Sequence, residues 1–132
     1  MLMNISRIFM DIVNSYQLYM SKNIKQLNLG LSEYPLLIFL RNRVDLKISQ
    51  QDIADALKRD KAIVARSAKS LEEKGYIVSK LDPANKSRKN LYITEAGLEA
   101  AVKIMDLVTV WERHIMETLG EDAPEFELLF HK

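Results

Sequence analysis

The chain has 132 residues, of which 48% are hydrophobic and 28% charged, and it carries a formal net charge of +1 and no cysteine. This length and composition predict one globular domain with a hydrophobic core. The lack of cysteine excludes a disulfide scaffold, a thiol nucleophile and a thiol redox sensor. No apolar run reaches the ~18 residues that span a bilayer, and residues 1–10 lack a signal-peptide pattern. We therefore expect a cytoplasmic protein with no membrane association.

The first two predicted elements are helices. Apolar residues recur every three or four positions over Ile5–Leu27, which predicts a long amphipathic helix. Gly30 is expected to end this helix in the left-handed conformation. Ser32 is expected to cap a second helix, roughly Glu33–Arg43, whose many apolar residues place it at the centre of the core.

A helix-turn-helix motif is predicted next, after a short edge strand at residues 47–48. Ser49, with Asp52 three positions later, has the spacing of a capping box at the start of the third helix. Asp60 is expected to cap a fourth helix, Lys61–Lys74, which Gly75 would stop. On that helix we predict that Ile63, Ala68 and Leu71 face the core.

A β-hairpin and a long last helix complete the pattern. Tyr76–Leu81 and Leu91–Ile93 are predicted strands, separated by turn residues 82–85. Thr94 is expected to cap a helix that ends near Leu119, and another helix is predicted to start at residues 122–124. The predicted fold is mainly α with a small β-wing (α+β), a winged helix-turn-helix with long N- and C-terminal dimerisation helices.

Three regions are predicted within this single structural domain. Residues 1–30 form an N-terminal dimerisation helix, residues 31–97 the winged DNA-binding region, and residues 98–132 the C-terminal dimerisation helices. The charge is distributed unevenly among them. Residues 58–89 contain ten Lys or Arg and four acidic residues, a local charge of +6, whereas residues 90–132 carry −6. An amphipathic helix followed by a hairpin with a basic tip is typical of a protein that binds duplex DNA. The alternative is an ordinary solvated charged surface.

Two motifs resemble the MarR family of regulators. The first covers residues 47–77 and ends in the sequence LEEKGYI at 71–77. The second is Asp82-Pro83 followed by LYITEAG at 91–97, which is similar to the wing of that family and to its Leu-Thr-x-x-Gly helix start. The order of elements agrees with the family over nearly the whole chain.

The resemblance implies a homodimeric winged-helix transcription regulator that binds a palindromic double-stranded operator. It further implies a repressor that a small-molecule effector releases from DNA. The family commonly has Asp-x-Arg at the wing tip, with the Arg in the minor groove. Asn85 and Ser87 occupy those positions here, and an arginine follows at Arg88. Either Arg88 takes over the groove contact, or the wing meets the minor groove in another way.

The predicted DNA-binding residues come from the third helix, the fourth helix and the wing. Arg66 is either a guanine reader or a phosphate contact. Small apolar side chains beside Arg66 are expected either to touch thymine methyl groups or to have no role beyond forming the helix. The lysines are expected to bind phosphates. The full set is Ser49, Gln50, Lys61, Ala62, Val64, Ala65, Arg66, Lys69, Lys86, Arg88 and Lys89.

A ligand site is predicted from aromatic residues that a cleft between dimer helices and winged region would contain: Tyr16, Tyr19, Tyr34 and Trp111. The alternative is that they are plain core. We expect no enzyme, because the sequence has no Gly-rich phosphate loop, no HExxH and no nucleophile with a placed base. No metal and no cofactor are expected. Two other functions are considered: a winged-helix protein-interaction module, and a nonspecific architectural DNA binder without an effector.

Overall fold

The computed structural model describes residues 5–122 and 124. Its elements, in chain order, are α1 (Ile5–Asn23), α2 (Tyr34–Arg41), α3 (Gln50–Leu57), α4 (Lys61–Glu73), β1 (Ile77–Leu81), β2 (Lys89–Ile93) and α5 (Glu95–Leu119), with 3-10 turns at Ile24–Leu27 and Gly120–Asp122. This order confirms the predicted fold class. The chain divides into two compact units: residues 24–104, and the described parts of residues 1–23 and 105–132.

The unit of residues 24–104 is a winged helix-turn-helix. Its strands β1 and β2 are antiparallel, with Ile77 opposite Ile93. The predicted edge strand is an isolated bridge from Ile48 to Leu91, on the side of β2 away from β1. The core of this unit draws on all its helices and both strands, and its fully or nearly fully buried side chains include Leu36, Leu37, Leu40, Ile53, Leu71, Ile77, Leu91 and Ile104. Helix and wing are therefore held on one shared core.

The C-terminal end of α4 is closely joined to the start of α5. Gly75 has φ +79°, and Tyr76 N–H donates to the carbonyl of Leu71 at 3.0 Å, as expected where a left-handed glycine ends a helix. Thr94 donates from its hydroxyl to the Gly75 carbonyl at 2.6 Å and from its backbone N–H to the Tyr76 carbonyl at 3.0 Å. The same hydroxyl accepts from Gly97 N–H at 3.1 Å, which confirms Thr94 as a helix cap.

A largely buried ion pair joins the start of α2 to the end of α4. Lys74 Nζ lies 2.8 Å from Oε2 and 3.0 Å from Oε1 of Glu33, and Gly30 N–H donates to Oε1 at 2.9 Å. Burial raises the pKa of Glu33, but the hydrogen bonds from Lys74, Ser70 and Gly30 outweigh burial and hold the pKa below its ordinary value. Glu33 is therefore a carboxylate whose charge is balanced inside the protein.

The structure corrects several predicted element ends. The first helix stops at Asn23, and the residue in the left-handed conformation after it is Asn28 (φ +58°) and not Gly30. Asparagine tolerates that conformation better than most residues. Glu33, not Ser32, precedes the first turn of α2, and β2 begins at Lys89, two residues earlier than predicted. The helix predicted from residues 122–124 onward falls mostly outside the described residues.

The other unit pairs α1 with the later part of α5. Tyr19 donates its hydroxyl hydrogen to the Leu107 carbonyl at 2.7 Å, and the rings of Tyr16 and Trp111 form an edge-to-face pair with centroids 4.9 Å apart. A second apolar surface of α1 is nevertheless exposed, at fractions from 42% to 69%, by Ile5, Ile8, Phe9, Met10, Val13 and Leu18. This helix therefore leaves a large apolar surface exposed on the single chain.

Candidate nucleic-acid interface

The amino end of α3 is built by the predicted capping box. Ser49 Oγ accepts from Asp52 N–H at 3.2 Å, and Asp52 Oδ2 accepts from Ser49 N–H at 2.9 Å. The hydrogen bond from the Ser49 backbone is the main reason that the pKa of Asp52 lies below its ordinary value, and Arg88 contributes further. Gln50 and Gln51 are exposed at this end of the helix. The cap thus fixes a helix start that presents polar side chains outward.

Helix α4 follows after a tight turn and presents a mixed polar and apolar face. Lys58 takes the left-handed conformation at the end of α3, and Asp60 Oδ1 accepts from Ala62 N–H at 2.7 Å, as predicted for the cap. The exposed side of α4 carries three cations and three apolar side chains: Lys61, Ala62, Ile63, Ala65, Arg66 and Lys69.

Val64 does not belong to that exposed face, and its assignment as a DNA-binding residue is wrong. Its side chain is fully buried, whereas Ile63, which was predicted to face the core, is 38% exposed. The buried stripe of α4 runs through Val64, Ala68 and Leu71, which are four and three residues apart. The sequence prediction placed Ile63 in this stripe instead of Val64, because the two adjacent residues are both β-branched and apolar.

The wing tip is a compact turn held by two side chains. Asp82 Oδ1 accepts from Ala84 N–H at 2.8 Å, and Asn85 Oδ1 accepts from both the backbone N–H and the hydroxyl of Ser87, at 3.1 and 2.6 Å. A hydrogen bond from Asn90 is the main cause that lowers the pKa of Asp82. Lys86, within this turn, is exposed.

Arg88 lies on the returning side of the wing and points toward α3. Its Nη2 donates to Asp52 Oδ2 at 2.7 Å, and one third of the side chain is exposed. The neighbouring Lys89 is exposed. The wing therefore presents Lys86 and Lys89 outward, while the Arg88 side chain has a partner within the protein.

Two open hollows lie side by side across these elements. One, of about 490 Å³, is lined by Ser49, Gln50, Gln51, Asn85, Ser87, Arg88 and Lys89. The other, of about 420 Å³, is lined by Gln50, Gln51, Lys61, Ala62 and Ala65. Both hollows are lined by Gln50 and Gln51, so the start of α3 lies between the wing and α4 on one continuous surface. Seven predicted DNA-binding residues line these hollows. Sequence reasoning missed Gln51, whose place beside Gln50 in the first turn was the available signal.

The MarR family model matches residues 27–86, which contain α2, α3, α4, β1 and most of the wing turn. The chain is 27% identical over 119 residues to the HTH-type transcriptional regulator BilQ of Clostridioides difficile, covering 89% of this chain and 78% of BilQ. These similarities support a MarR-family winged-helix regulator.

Solved structures show the same fold over nearly the whole chain. The crystal structure of MarR has a TM-score of 0.82 and 25% identity, with 95% of this chain and 84% of that chain covered. The complex of Staphylococcus aureus MepR with DNA has a TM-score of 0.84 and 22% identity, with 94% and 90% covered. The similarity of fold thus extends beyond the winged region to the long first and last helices of this chain.

The predicted ligand residues fall in different units. Tyr16, Tyr19 and Trp111 come together where α1 meets α5. Tyr34 is the first residue of α2, in the winged unit, and is partly exposed. Tyr16 and Trp111 therefore form a ring pair, and Tyr19 contacts α5 separately through the Leu107 carbonyl.

Within residues 5–122 and 124, no group of three or more His, Cys, Asp and Glu side chains is arranged to hold a metal ion. Over the same range no helix has both the length and the apolar character needed to cross a membrane.

Proposed function

We propose that this chain is a cytoplasmic repressor that binds a palindromic double-stranded operator as a homodimer and leaves it when a small-molecule effector binds. The observation that carries the DNA-binding part is the shared surface of the two hollows, on which α3, α4 and the wing present cations and polar groups together. The major groove of B-DNA admits a helix, and a hairpin beside it reaches the backbone or the minor groove.

Each element has its own role in this proposal. Arg66 on α4 reads a base edge, while Lys61 and Lys69 bind the phosphates that flank the groove. Ala62 and Ala65, with the exposed Ile63, meet thymine methyl groups. Ser49 and Gln50 direct the amino end of α3 to a phosphate, and Lys86 and Lys89 do so from the wing. The S. aureus MepR structure was solved as a complex with DNA, which supports the same use of the fold here.

Arg66→Ala is expected to weaken operator binding by about 10-fold or more and to flatten the preference between DNA sequences, because a bidentate contact to guanine contributes roughly 1–3 kcal/mol of discrimination. The operator is first selected from a random DNA pool, and binding is then measured by fluorescence polarisation at two salt concentrations. Lys89→Ala is the matched control: it is expected to weaken all duplexes alike and to lower the salt slope by about 0.9.

Unchanged affinity in Arg66→Ala would rule out its role as a base reader. If heparin and unrelated duplexes compete as well as the selected operator, the protein is a nonspecific binder. If the wild-type chain binds no duplex at all, the winged region serves another kind of partner.

The homodimer is supported by the exposed apolar surface of α1. Ile8 is 54% exposed and Leu18 69% exposed, and a second copy of the chain would bury such residues. We expect sedimentation at micromolar concentration to give about twice the mass of one chain. Ile8→Glu is expected to shift the protein toward monomer, whereas Gln17→Glu, at an exposed polar position of the same helix, is not. A wild-type chain that stays monomeric would contradict the two-half-site model.

The effector is proposed to bind near Tyr16, Tyr19 and Trp111, where α1 meets α5. An apolar or aromatic molecule suits such residues, since their rings offer large contact areas and hydroxyl groups for orientation. The test is a metabolite screen for release of the selected operator. A metabolite that releases the operator from the wild-type protein is expected to be less effective on Trp111→Leu. An equal effect on both proteins would contradict this site.

A further inference from the structure

The guanidinium of Arg88 is bound by three segments of the winged unit. Nη2 donates to Asp52 Oδ2 at 2.7 Å and to the Lys47 carbonyl at 3.0 Å, and Nε donates to Asn90 Oδ1 at 2.9 Å. These partners lie in the first turn of α3, in the residue before the Ile48 bridge, and in β2. One side chain thus connects the wing to the helix-turn-helix.

The partners of Arg88 are themselves held in place. Asp52 belongs to the capping box of α3. Asn90 is fully buried and donates to Asp82 Oδ2 at 3.1 Å, and Lys47 Nζ lies 3.6 Å from Asp82 Oδ1. Because the acceptors are fixed in advance, the planar guanidinium loses little freedom when it binds them. The network contains two cations and two carboxylates, so its charges balance.

A connection at this point stiffens the wing. An antiparallel hairpin of two strands is only marginally stable by itself. The bridge from Ile48 supports β2 at Leu91, and Arg88 adds a support three residues closer to the tip. A DNA-binding surface made of a helix and a wing binds best when their separation is already correct, because less ordering remains to be done on binding.

The same contacts argue against Arg88 as the groove reader. Three of the five N–H donors of the guanidinium, those on Nη2 and Nε, have acceptors within the protein. Moving the side chain into a minor groove would break these bonds and leave the carboxylate of Asp52 facing the DNA. Lys86 and Lys89 are exposed near Arg88, and they can contact DNA without breaking these hydrogen bonds.

We propose that Arg88 is a positioning residue, which fixes the wing to the start of α3 through Asp52, and that Lys86 and Lys89 make the phosphate contacts of the wing. The fixed wing can be tested without DNA, whereas its effect on affinity rests on the proposed function. The two parts therefore need separate experiments.

The first experiment measures the position of the wing. The chain has no cysteine, so spin labels can be attached at Ala56→Cys on α3 and Ala84→Cys in the wing turn, both exposed positions. Labelled protein is refolded with an excess of unlabelled chain, and the distance distribution is recorded by pulsed electron resonance. We expect one narrow distribution in the parent and a clearly broader one in both Arg88→Gln and Asp52→Asn. A broad parent distribution, or an Arg88→Gln variant as narrow as the parent, overturns the proposal.

The second experiment is a double-variant cycle on the selected operator. Asp52→Asn keeps an oxygen for the capping bond to Ser49 but removes the ion pair. We expect Arg88→Gln and Asp52→Asn each to weaken binding on the order of tenfold, and the double variant to be no weaker than either one. Asp55→Asn is the matched control, because it removes the same charge from an exposed position on α3.

The sign of the Asp52→Asn effect separates the two roles of Arg88. If Asp52→Asn binds the operator more tightly than Asp55→Asn does, then the ion pair with Asp52 kept Arg88 from contacting the minor groove, and the proposal fails. The proposal also fails if Arg88→Gln weakens operator binding as much in the Asp52→Asn variant as in the parent. It fails as well if Arg88→Gln removes a preference for A·T base pairs at the flanks of the operator. If the parent binds no duplex, the proposed function fails, while the spin-label distances still decide whether Arg88 fixes the wing.

Discussion

Gly97→Ala is expected to lower the free energy of unfolding by about 3 kcal/mol, a large effect for one methyl group. A Cβ at this position would overlap the carbonyl oxygen of Tyr76 and would lie 2.6 Å from Cγ1 of Ile93. The backbone cannot move aside freely, because Thr94 holds both sides of this approach through its bonds to Gly75 and Tyr76. The roughly 1 kcal/mol gained from replacing glycine within a helix is too small to compensate.

Urea unfolding at a fixed protein concentration measures this loss. Gly75→Ala is the matched control. Gly75 has φ +79°, but a Cβ there would have no atom within 4 Å. That variant therefore carries only the conformational cost of the left-handed region, about 1–2 kcal/mol. A Gly97→Ala variant that is no less stable than Gly75→Ala would show that the start of α5 can move away from Tyr76.

Lys74→Met is expected to destabilise the fold by about 2–3 kcal/mol at neutral pH, because it leaves the carboxylate of Glu33 without its cation. Breaking a fully buried pair costs roughly 3–5 kcal/mol. We expect less here, because the Lys74 side chain is 22% exposed. Lys69→Met, on the exposed side of the same helix, is expected to change stability by less than about 0.5 kcal/mol.

The pH dependence of this loss has a definite sign. In the wild-type protein the pKa of Glu33 lies below its reference value of 4.5. The pair therefore stabilises the fold above that value, and its contribution is lost as the pH falls through the lowered pKa. In Lys74→Met only burial and the weaker hydrogen bonds act on Glu33, so its pKa is expected to rise. The difference in stability between the two proteins should then be largest at neutral pH and should shrink toward pH ~4.

Urea unfolding at both pH values checks this expectation. Glu33→Gln in the Lys74→Met background is expected to recover most of the lost stability, because an amide can be buried at a smaller cost than a carboxylate. A loss that is constant with pH, or that the second substitution does not recover, would point to lost packing of the lysine stem instead of an uncompensated charge.

Local signals in the sequence predicted much of the winged unit. The capping box of Ser49 and Asp52, the cap at Asp60 and the stop at Gly75 are confirmed. These features depend on contacts within four residues, so the sequence alone determines them. The fold class followed from their order.

Long-range contacts were harder to predict. The inward position of Arg88 depends on Asp52, 36 residues earlier, and the charge pattern of the wing does not reveal that partner. The burial of Val64 depends on how α4 is rotated against the core, and two adjacent apolar residues satisfy the helical period almost equally well. The roles of the predicted DNA-binding residues stay predictions, as does the ligand site.

Because the hairpin is closed at its base, the sequence of its tip can change with little effect on the rest of the fold. Thr94 joins Gly75 and Tyr76, the second and third residues after α4, to the start of α5, so the chain enters and leaves the wing at a fixed separation. Changes in length or composition between residues 83 and 87 would then alter what the tip touches without loosening the helix that precedes it. The contacts that the tip makes can thus change in small steps, at little risk to the stability of the rest of the protein.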